Sequence, residues 1–576
     1  MNPEQLLVHF ERIAKAPDAV PRLRRFILDL AVRGKLVEQD PGDEPATELL
    51  RRIQTEKVRL LNAGEIRKSK ANELKMVTAP YDLPRSWAWA ALGSIFLYDA
   101  GAKREPNMLD QSHWLLELED IEKDTCRLVT RVRASERASQ STKSEFKVGD
   151  ILYGKLRPYL DKVLVADEPG YSTTEIVAIR SFAPLCSKYC ALALRRPDFV
   201  EYVTRLGQGT KMPRLRTEDA NVAPFPLPPL AEQHRIVAKV DELMAICDRL
   251  EAAQTEREQR RDRLVTVSLN RINQPAPSAE GEAATAFREH ARFHLDHLPR
   301  LTTRLEHIKA LRQTILNLAV RGRLVRQDPN DEPASNLLEA IAAYMARLVM
   351  AGKIRRQKGI ARSASRLIGT LPSSWEPIAL SDACQMVTSG SRGWAEFYAD
   401  SGPAFIRAQN VRFGTLKLDG LAFVNPPSNS EGSRTKVAKG DLLIVITGAG
   451  VTNPAVLDRD LGEAYVSQHI GLVRPMNEQL SHWLLLCLMA PAGGRAELIE
   501  RAYGAGKPGL NLDNIRSLSV PLPPLAEQQR IVAKVDELMA VCDQLEASLT
   551  ATQTDSRRLL EVVLQEALAP AMEKAA

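Results

Sequence analysis

Two stretches of the first half of the chain combine cationic and aromatic side chains with turn formers: "YGKLRPYLDK" (Tyr153 to Lys162), with Tyr153, Lys155, Arg157 and Tyr159, and "KMPRLR" (Lys211 to Arg216), with Lys211, Arg214 and Arg216. Lys103 and Arg104 stand upstream of them. Exposed loops of this composition can set guanidinium groups against guanine edges or phosphates. The second half offers a different set: Ser391 and Arg392, then Arg407, Gln409 and Asn410 of "RAQN", Thr447 of "TGAGVTN", and Lys507 with Asn511. Its amides could read adenine edges. Basic clusters at "RKSK" (Arg67 to Lys70) and "KIRRQK" (Lys353 to Lys358), with Arg362 and Arg366 beyond, fit phosphate contact and a solvated helix end equally well.

Covalent chemistry finds no comparable support. "GAGKPG" (Gly504 to Gly509) approaches a phosphate loop, but Arg501 stands where the first glycine is required and Pro508 where a magnesium-binding hydroxyl would be. "NPPS" (Asn425 to Ser428) has Ser428 in place of the aromatic that would stack on a target base, and reads as a Pro-rich loop. "HARFHLDH" puts His290 and His294 one helical turn apart with His297 after them; no neighbouring Cys or Asp/Glu cluster completes a site and the first repeat has no equivalent, so it reads as a solvated helix face, not a metal site. The carboxylates of "ELEDIEKD" (Glu117 to Asp124) alternate with apolar residues and read as the solvated face of a strand. No catalytic motif survives, and a non-catalytic protein is expected.

The elements that position these loops come in duplicate. "PLPPLAEQHRIVAKVDELMAICDRLEA" (Pro226 to Ala252) recurs as "PLPPLAEQQRIVAKVDELMAVCDQLEA" (Pro521 to Ala547), with three differences in 27 positions. Upstream, Leu23 to Leu50 recurs at Leu311 to Leu338 with 20 of 28 positions identical, and "LPRSW" (Leu83 to Trp87) recurs as "LPSSW" (Leu371 to Trp375). The offset is 288 residues up to the Trp marker and 295 at the Pro-rich motif, so the copies differ in length only between those markers. There they share a thin skeleton, "KVGDIL" against "AKGDLL" and "GTKMPRLRTED" against "GAGKPGLNLDN". One scaffold with two different surfaces is the expectation, arranged about a pseudo-two-fold axis.

Within each copy the secondary structure changes character. Ile236, Val240, Leu243, Cys247 and Leu250, and likewise Ile531, Val535, Leu538, Cys542 and Leu545, alternate spacings of four and three, the seam of a coiled coil. "PLPPL" ends the preceding domain, and the absence of Pro and Gly up to Pro275 permits a helix of about 40 residues, or ~60 Å. The seam weakens at Gln254, Arg257 and Arg261 before Leu264. The Leu23 and Leu311 regions read as helix, turn, helix. Runs such as "DILYG", "KVLVA", "EIVAIR", "PAFIRA" and "DLLIVITG" read as strands of α+β lobes.

The expected fold class is thus α+β, two lobes joined by long helices in an antiparallel coiled coil. Its segments are a helical region over 1–84, a lobe over 85–229, a long helix over 230–272, a linker over 273–285, a second helical region over 286–372, a second lobe over 373–524 and a terminal long helix over 525–576.

The 576 residues demand several domains. A net charge of +6 permits a nucleic-acid partner without arguing for one, and the lobes carry 21 basic against 19 acidic residues over 85–225 and 13 against 14 over 373–520. Any DNA binding must therefore rest on specific geometry. Seven cysteines without a CxxC pair suggest reduced thiols, and the longest apolar run, near "WLLLCLMA", is too short to span a bilayer. A cytoplasmic protein without a membrane anchor is expected.

The order of helical segment, variable lobe ending in "PLPPLAEQ.RIV" and long helix, given twice, resembles the specificity subunit of Type I restriction-modification systems over essentially the whole chain. The resemblance implies two target recognition domains, each reading half of a bipartite sequence in double-stranded DNA, and a coiled coil that spaces them and docks two modification (methyltransferase) subunits. Restriction subunits, which are ATP-dependent translocase/nucleases, are implied as further partners. S-adenosylmethionine, ATP and Mg are implied on those partners, with no cofactor or metal on this chain. Long helices would act as a ruler, since successive major-groove faces recur about every 34 Å. The competing classes are a two-lobed protein-interaction scaffold without DNA readout and a duplicated enzyme.

Overall fold

The computed structural model describes residues 16, 18–66, 79–123, 125–138, 140–206, 211–274, 282–354, 371–426, 430–502 and 509–568. The chain forms two compact units, one of residues 1–256 with 553–576 and the other of residues 257–552. Both boundaries fall inside the long helices Leu230–Asn273 and Leu525–Leu568, of 44 residues each.

In the first unit, helices Ala19–Val32 and Ala46–Asn62 form the expected helix, turn, helix. The turn needs Gly34: its φ is +67°, and a Cβ there would lie 2.4 Å from Pro84. The lobe opens with strand Ala88–Ala91, which pairs antiparallel with Pro224–Leu227 and so clips the lobe's two ends together. The Pro-rich motif thus begins as the last strand of the lobe. Pro226 faces only one neighbour, Trp89, in a two-stranded pair, where a missing N–H costs no second ladder bond. Helix follows from Leu230.

Two four-stranded sheets make the body of this lobe. One runs Phe96–Leu97, Ile176–Ser181, Ile151–Gly154, Val163–Val165, all antiparallel. The other runs Lys103–Arg104, Lys143–Phe146, Gly170–Thr173, Trp114–Leu116, with the last pair parallel. Leu118–Asp120 is a short 3₁₀ helix, not a strand, and Asp120 is buried. Arg137 grips its carboxylate with two 2.8 Å bonds. That carboxylate does not belong to a solvated face.

The second unit repeats the plan. Helices Leu305–Val320 and Ala334–Met350 precede strand Glu376–Ala379, which pairs with Ser519–Leu522. A four-stranded sheet runs Cys384–Ser389, Ile470–Pro475, Leu442–Val445, Pro454–Val456, and a three-stranded one runs Ala422–Val424, Tyr398–Ile406, Ala464–Val466. Helix Glu282–Asp296 begins inside the span read as a linker, of which 275–281 lies outside the described residues.

Each unit has one principal core in which helical segments, lobe and long helix merge. Ile236, Val240 and Cys247 are buried in the same cluster as Val20, Ile27, Leu28 and Ala31, with Leu243 and Leu250 packed at its margin. Ile531, Val535 and Cys542 join Ile308, Ile315, Leu316 and Ala319 likewise, with Leu538 and Leu545 at the margin. The seam therefore meets the upstream helix of its own unit, which presents an apolar face and fastens it with charge. Arg24 reaches Asp248 at 2.6 Å and Glu251 at 2.7 Å, and Arg312 reaches Asp543 at 2.5 Å and Glu546 at 2.6 Å. Farther along the first long helix the buried face moves to Val265, Leu269 and Ile272, leaving Leu264 exposed, because 3.6 residues per turn drift out of step with a seven-residue repeat.

Candidate nucleic-acid interface

The root of each long helix holds its lobe through a buried carboxylate. Glu232 accepts the Trp87 indole N–H at 2.9 Å and the Gln39 amide at 2.6 Å, while Arg235 pairs with Asp43 at 2.6 Å. Glu527 accepts from Trp375 at 2.9 Å and Gln327 at 2.5 Å, while Arg530 pairs with Asp331 at 2.5 Å. Burial pushes the carboxyls of Glu232 and Glu527 above the ordinary range, with the indole and amide donors acting against it. These bonds explain why the Trp marker, the "QDP.DEP" loop and "AEQ" recur together. Inside the lobes, the retained "GD" is explained the same way: Arg180 grips buried Asp150, and Arg474 grips buried Asp441, each at 2.6 Å at its shorter bond.

On this frame the first lobe brings its two cationic loops together. The Arg157 N–H donates to the Pro213 carbonyl at 2.8 Å, the Leu215 N–H donates to the Lys155 carbonyl at 3.0 Å, and Leu156 bridges Arg214. Arg157, with φ +49°, and Tyr159 are exposed on one loop, and Lys211, Arg214 and Arg216 on the other; Lys155 is half-buried between them. Arg214 is fixed by Glu175, its Nε 2.9 Å from one carboxylate oxygen and its Nη2 3.0 Å from the other. Arg216 lies 3.7 Å from Glu218. Lys103 and Arg104 sit on a strand edge of the other sheet, bonded to Ser144 and Glu145. Tyr153 is not an interface residue. Its strand, Ile151–Gly154, is buried along its whole length, and Tyr153 is 3% exposed and packs against Phe199; burial drives its phenol well above the ordinary value.

The second lobe makes the same junction from other side chains. Thr447 bridges Gly509, and the Leu510 N–H donates to the Ile446 carbonyl at 2.8 Å. Arg392 and Gln409 are exposed, and Arg407 is half-buried with its Nε unpartnered. Asn511 is exposed but caps helix Leu512–Arg516, its side chain accepting from the Asn514 N–H at 2.7 Å. Two residues leave the candidate set. Ser391 is 2% exposed and bonded to Thr435 at 2.6 Å, and Asn410 is 3% exposed, closing its own turn onto the Arg407 N–H and the Lys417 carbonyl. Asn410 satisfies local backbone first, as short polar side chains in turns do, whereas the Ser391 hydroxyl is taken by the distant Thr435 side chain.

Lys507, most of "GAGKPG", the "RKSK" cluster, most of "KIRRQK", Arg362 and Arg366 lie outside the described residues, as do Pro427 and Ser428 of "NPPS".

Sequence reading missed Glu175, Gln468 and His469. They occupy the turn between the last two strands of each lobe body, where the Glu175 carbonyl accepts from the Lys155 N–H and the His469 carbonyl from the Ile446 N–H, both at 2.9 Å. His469 Nδ1 stands 2.7 Å from Thr447 Oγ1. Polar triplets between apolar runs, "TTE" and "SQH", are the available signal. The histidine group behaves differently from a solvated face: His294 is buried, 3.0 Å from Ser268 Oγ, and burial lowers its pKa, while His297 stacks on Phe293. No cluster with metal-ligand composition occurs among the described residues, and no helix among them is long and apolar enough to cross a membrane.

The family profile described as "Type I restriction modification DNA specificity domain" matches residues 372–552. The chain is 30% identical over 560 residues to the Type I restriction enzyme EcoAI specificity subunit of Escherichia coli, covering 93% of this chain and 92% of that protein. It belongs to the Type I restriction enzyme specificity subunits. The EcoEI specificity subunit of Escherichia coli is 29% identical over 592 residues, covering 95% of this chain and 94% of the relative. Among solved structures, the HsdS subunit from Thermoanaerobacter tengcongensis covers 86% of this chain and 100% of its own at 20% identity and a TM-score of 0.43. A chain from a structure addressing complex assembly and conformational transition of the type I R-M system gives the same coverages at 19% identity and a TM-score of 0.48. As a specificity subunit the chain is a recognition component and not a catalytic one, and membership implies DNA target recognition.

Proposed function

We propose that each lobe reads one half of a bipartite sequence in double-stranded DNA and directs adenine methylation and restriction by partner subunits. The carrying observation is the junction made twice by the same backbone bonds: Leu215 to Lys155 with Arg157, Tyr159, Lys211, Arg214 and Arg216 around it, and Leu510 to Ile446 with Arg392, Arg407, Gln409, Thr447 and Asn511 in the second lobe. A constant frame carrying two unlike sets of donors suits two unlike half-sites. The two lobe charge balances are near neutral, so discrimination must come from placed donors and not from bulk attraction.

Two modification subunits dock on the repeated segments, and the long helices, each with its seam seated on the upstream helix of its own unit, space the lobes; restriction subunits join that complex. S-adenosylmethionine, ATP and Mg serve the partners' active sites. Methylation mapping in cells that carry this chain with its methyltransferase tests the reading. A two-part motif separated by unread base pairs is expected; a single contiguous motif, or methylation without sequence preference, contradicts it.

A further inference from the structure

Arg214 differs from the other cations of its loop in being held. Its Nε and Nη2 lie against the two carboxylate oxygens of Glu175, at 2.9 and 3.0 Å, while the side chain keeps half of its surface exposed. Its backbone is fixed as well, by the bridge to Leu156 and by bonds on either side from Arg157 to Pro213 and from Leu215 to Lys155. Glu175 is itself anchored, since its carbonyl takes the Lys155 N–H.

A guanidinium has two edges that can donate in pairs. Glu175 occupies the Nε/Nη2 edge, so the Nη1/Nη2 edge remains, a planar fork with two parallel N–H groups. That fork matches the O6 and N7 acceptors of guanine in the major groove. Prior fixation by the carboxylate removes rotamer freedom that a free arginine would lose on binding. The guanidinium also covers the carboxylate charge that would otherwise face phosphates.

We propose that Arg214 is a guanine-reading residue of the first lobe and that Glu175 is its positioning residue; this rests on the first lobe being a target recognition domain. The second lobe places Gly509 and His469 at the corresponding points of its junction, so it has no such fork there. One G·C pair in the first lobe's half-site is read through Arg214, and the corresponding contact is absent from the other half-site.

The test uses the full chain in complex with its methyltransferase subunits and duplexes carrying every single-base-pair change in the mapped target. Wild type, Arg214→Ala, Arg214→Lys and Glu175→Gln are compared by competition binding. Both Arg214 variants should lose about 5- to 150-fold discrimination at one G·C pair of one half-site, leaving every other position as in wild type. Retained discrimination in the other half-site serves as the folding control. Glu175→Gln should keep the guanine preference at a reduced ratio. A uniform loss of affinity across all duplexes, with a salt slope lowered by about one, would assign Arg214 to a phosphate and overturn the proposal. So would a first half-site without any G·C pair. A wild-type complex that shows no two-part preference overturns the underlying reading instead.

Discussion

Replacing Glu232 by alanine should destabilise the first unit by about 2–3 kcal/mol. The Trp87 indole N–H is buried and has the Glu232 carboxylate as its acceptor at 2.9 Å, so truncation strands a buried donor, a cost of about 1–3 kcal/mol. Glu232 is itself fully buried, and the vacated volume adds about 1 kcal/mol. Gln39, near the surface, loses a 2.6 Å bond but can turn to water at little expense. Relief of the carboxylate's own burial, visible in its raised pKa, offsets part of the total.

For a unit of this size, 1 kcal/mol moves Tm by about 2–4 °C, so the first unit's transition should fall by about 4–12 °C in differential scanning calorimetry. Glu527→Ala should do the same to the second unit, where Trp375 is the stranded donor. Glutamine at either position keeps an acceptor for the indole and should cost less than half as much. A fall of under about 1 °C for the alanine variants, or equal damage from glutamine and alanine, would refute the clamp.

Because the folded-state pKa of Glu232 and of Glu527 is raised, the folded form binds protons more readily than the unfolded chain. This contribution to stability is complete below the ordinary value of 4.5 and is lost as pH rises through the raised values. Calorimetry from pH 7 down to the ordinary value of 4.5 should thus show the Glu232→Gln, Glu527→Gln double variant losing ground to wild type on acidification; a constant gap over that whole range contradicts the assignment. Asp441→Ala leaves Arg474 without its carboxylate and removes an acceptor from the Ala438 N–H, and should cost about 3 kcal/mol in the second unit's denaturation, whereas a change within about 0.5 kcal/mol would place the pair among inert surface contacts. Inserting residues between 253 and 270 should lengthen the unread spacer in methylation mapping and keep both half-sites; altered half-sites at unchanged spacing would remove the ruler.

The duplicated frame was legible because it rests on local chemistry: period, punctuation and repeat spacing located both helix pairs, both long helices and the main strands. The loops "YGKLRPYLDK" and "KMPRLR" were identified as candidates, but nothing in their spacing announces that the Leu215 N–H meets the Lys155 carbonyl across some 60 residues. The misread residues share a cause. Tyr153, Ser391 and Asn410 have polar groups that suit DNA, yet a strand buried at every position, a hydroxyl partner 44 residues away and local turn bonding bury them in turn, and none of these is carried by residue type. Likewise an a/d spacing specifies that a helix has a seam, not which helix fills it; here Ile27 and Ile315 sit on the helices that do.

Exchange of the second lobe tests the central claim most directly. Residues 373–524 are replaced by the corresponding lobe of another specificity subunit whose half-site is known, and the methylated motif is mapped in cells supplying the methyltransferase. Independent reading by two lobes on one frame predicts that one half-site changes to that of the donor while the other half-site and the spacer stay as in wild type. A motif altered in both halves, or unaltered in either, would contradict it.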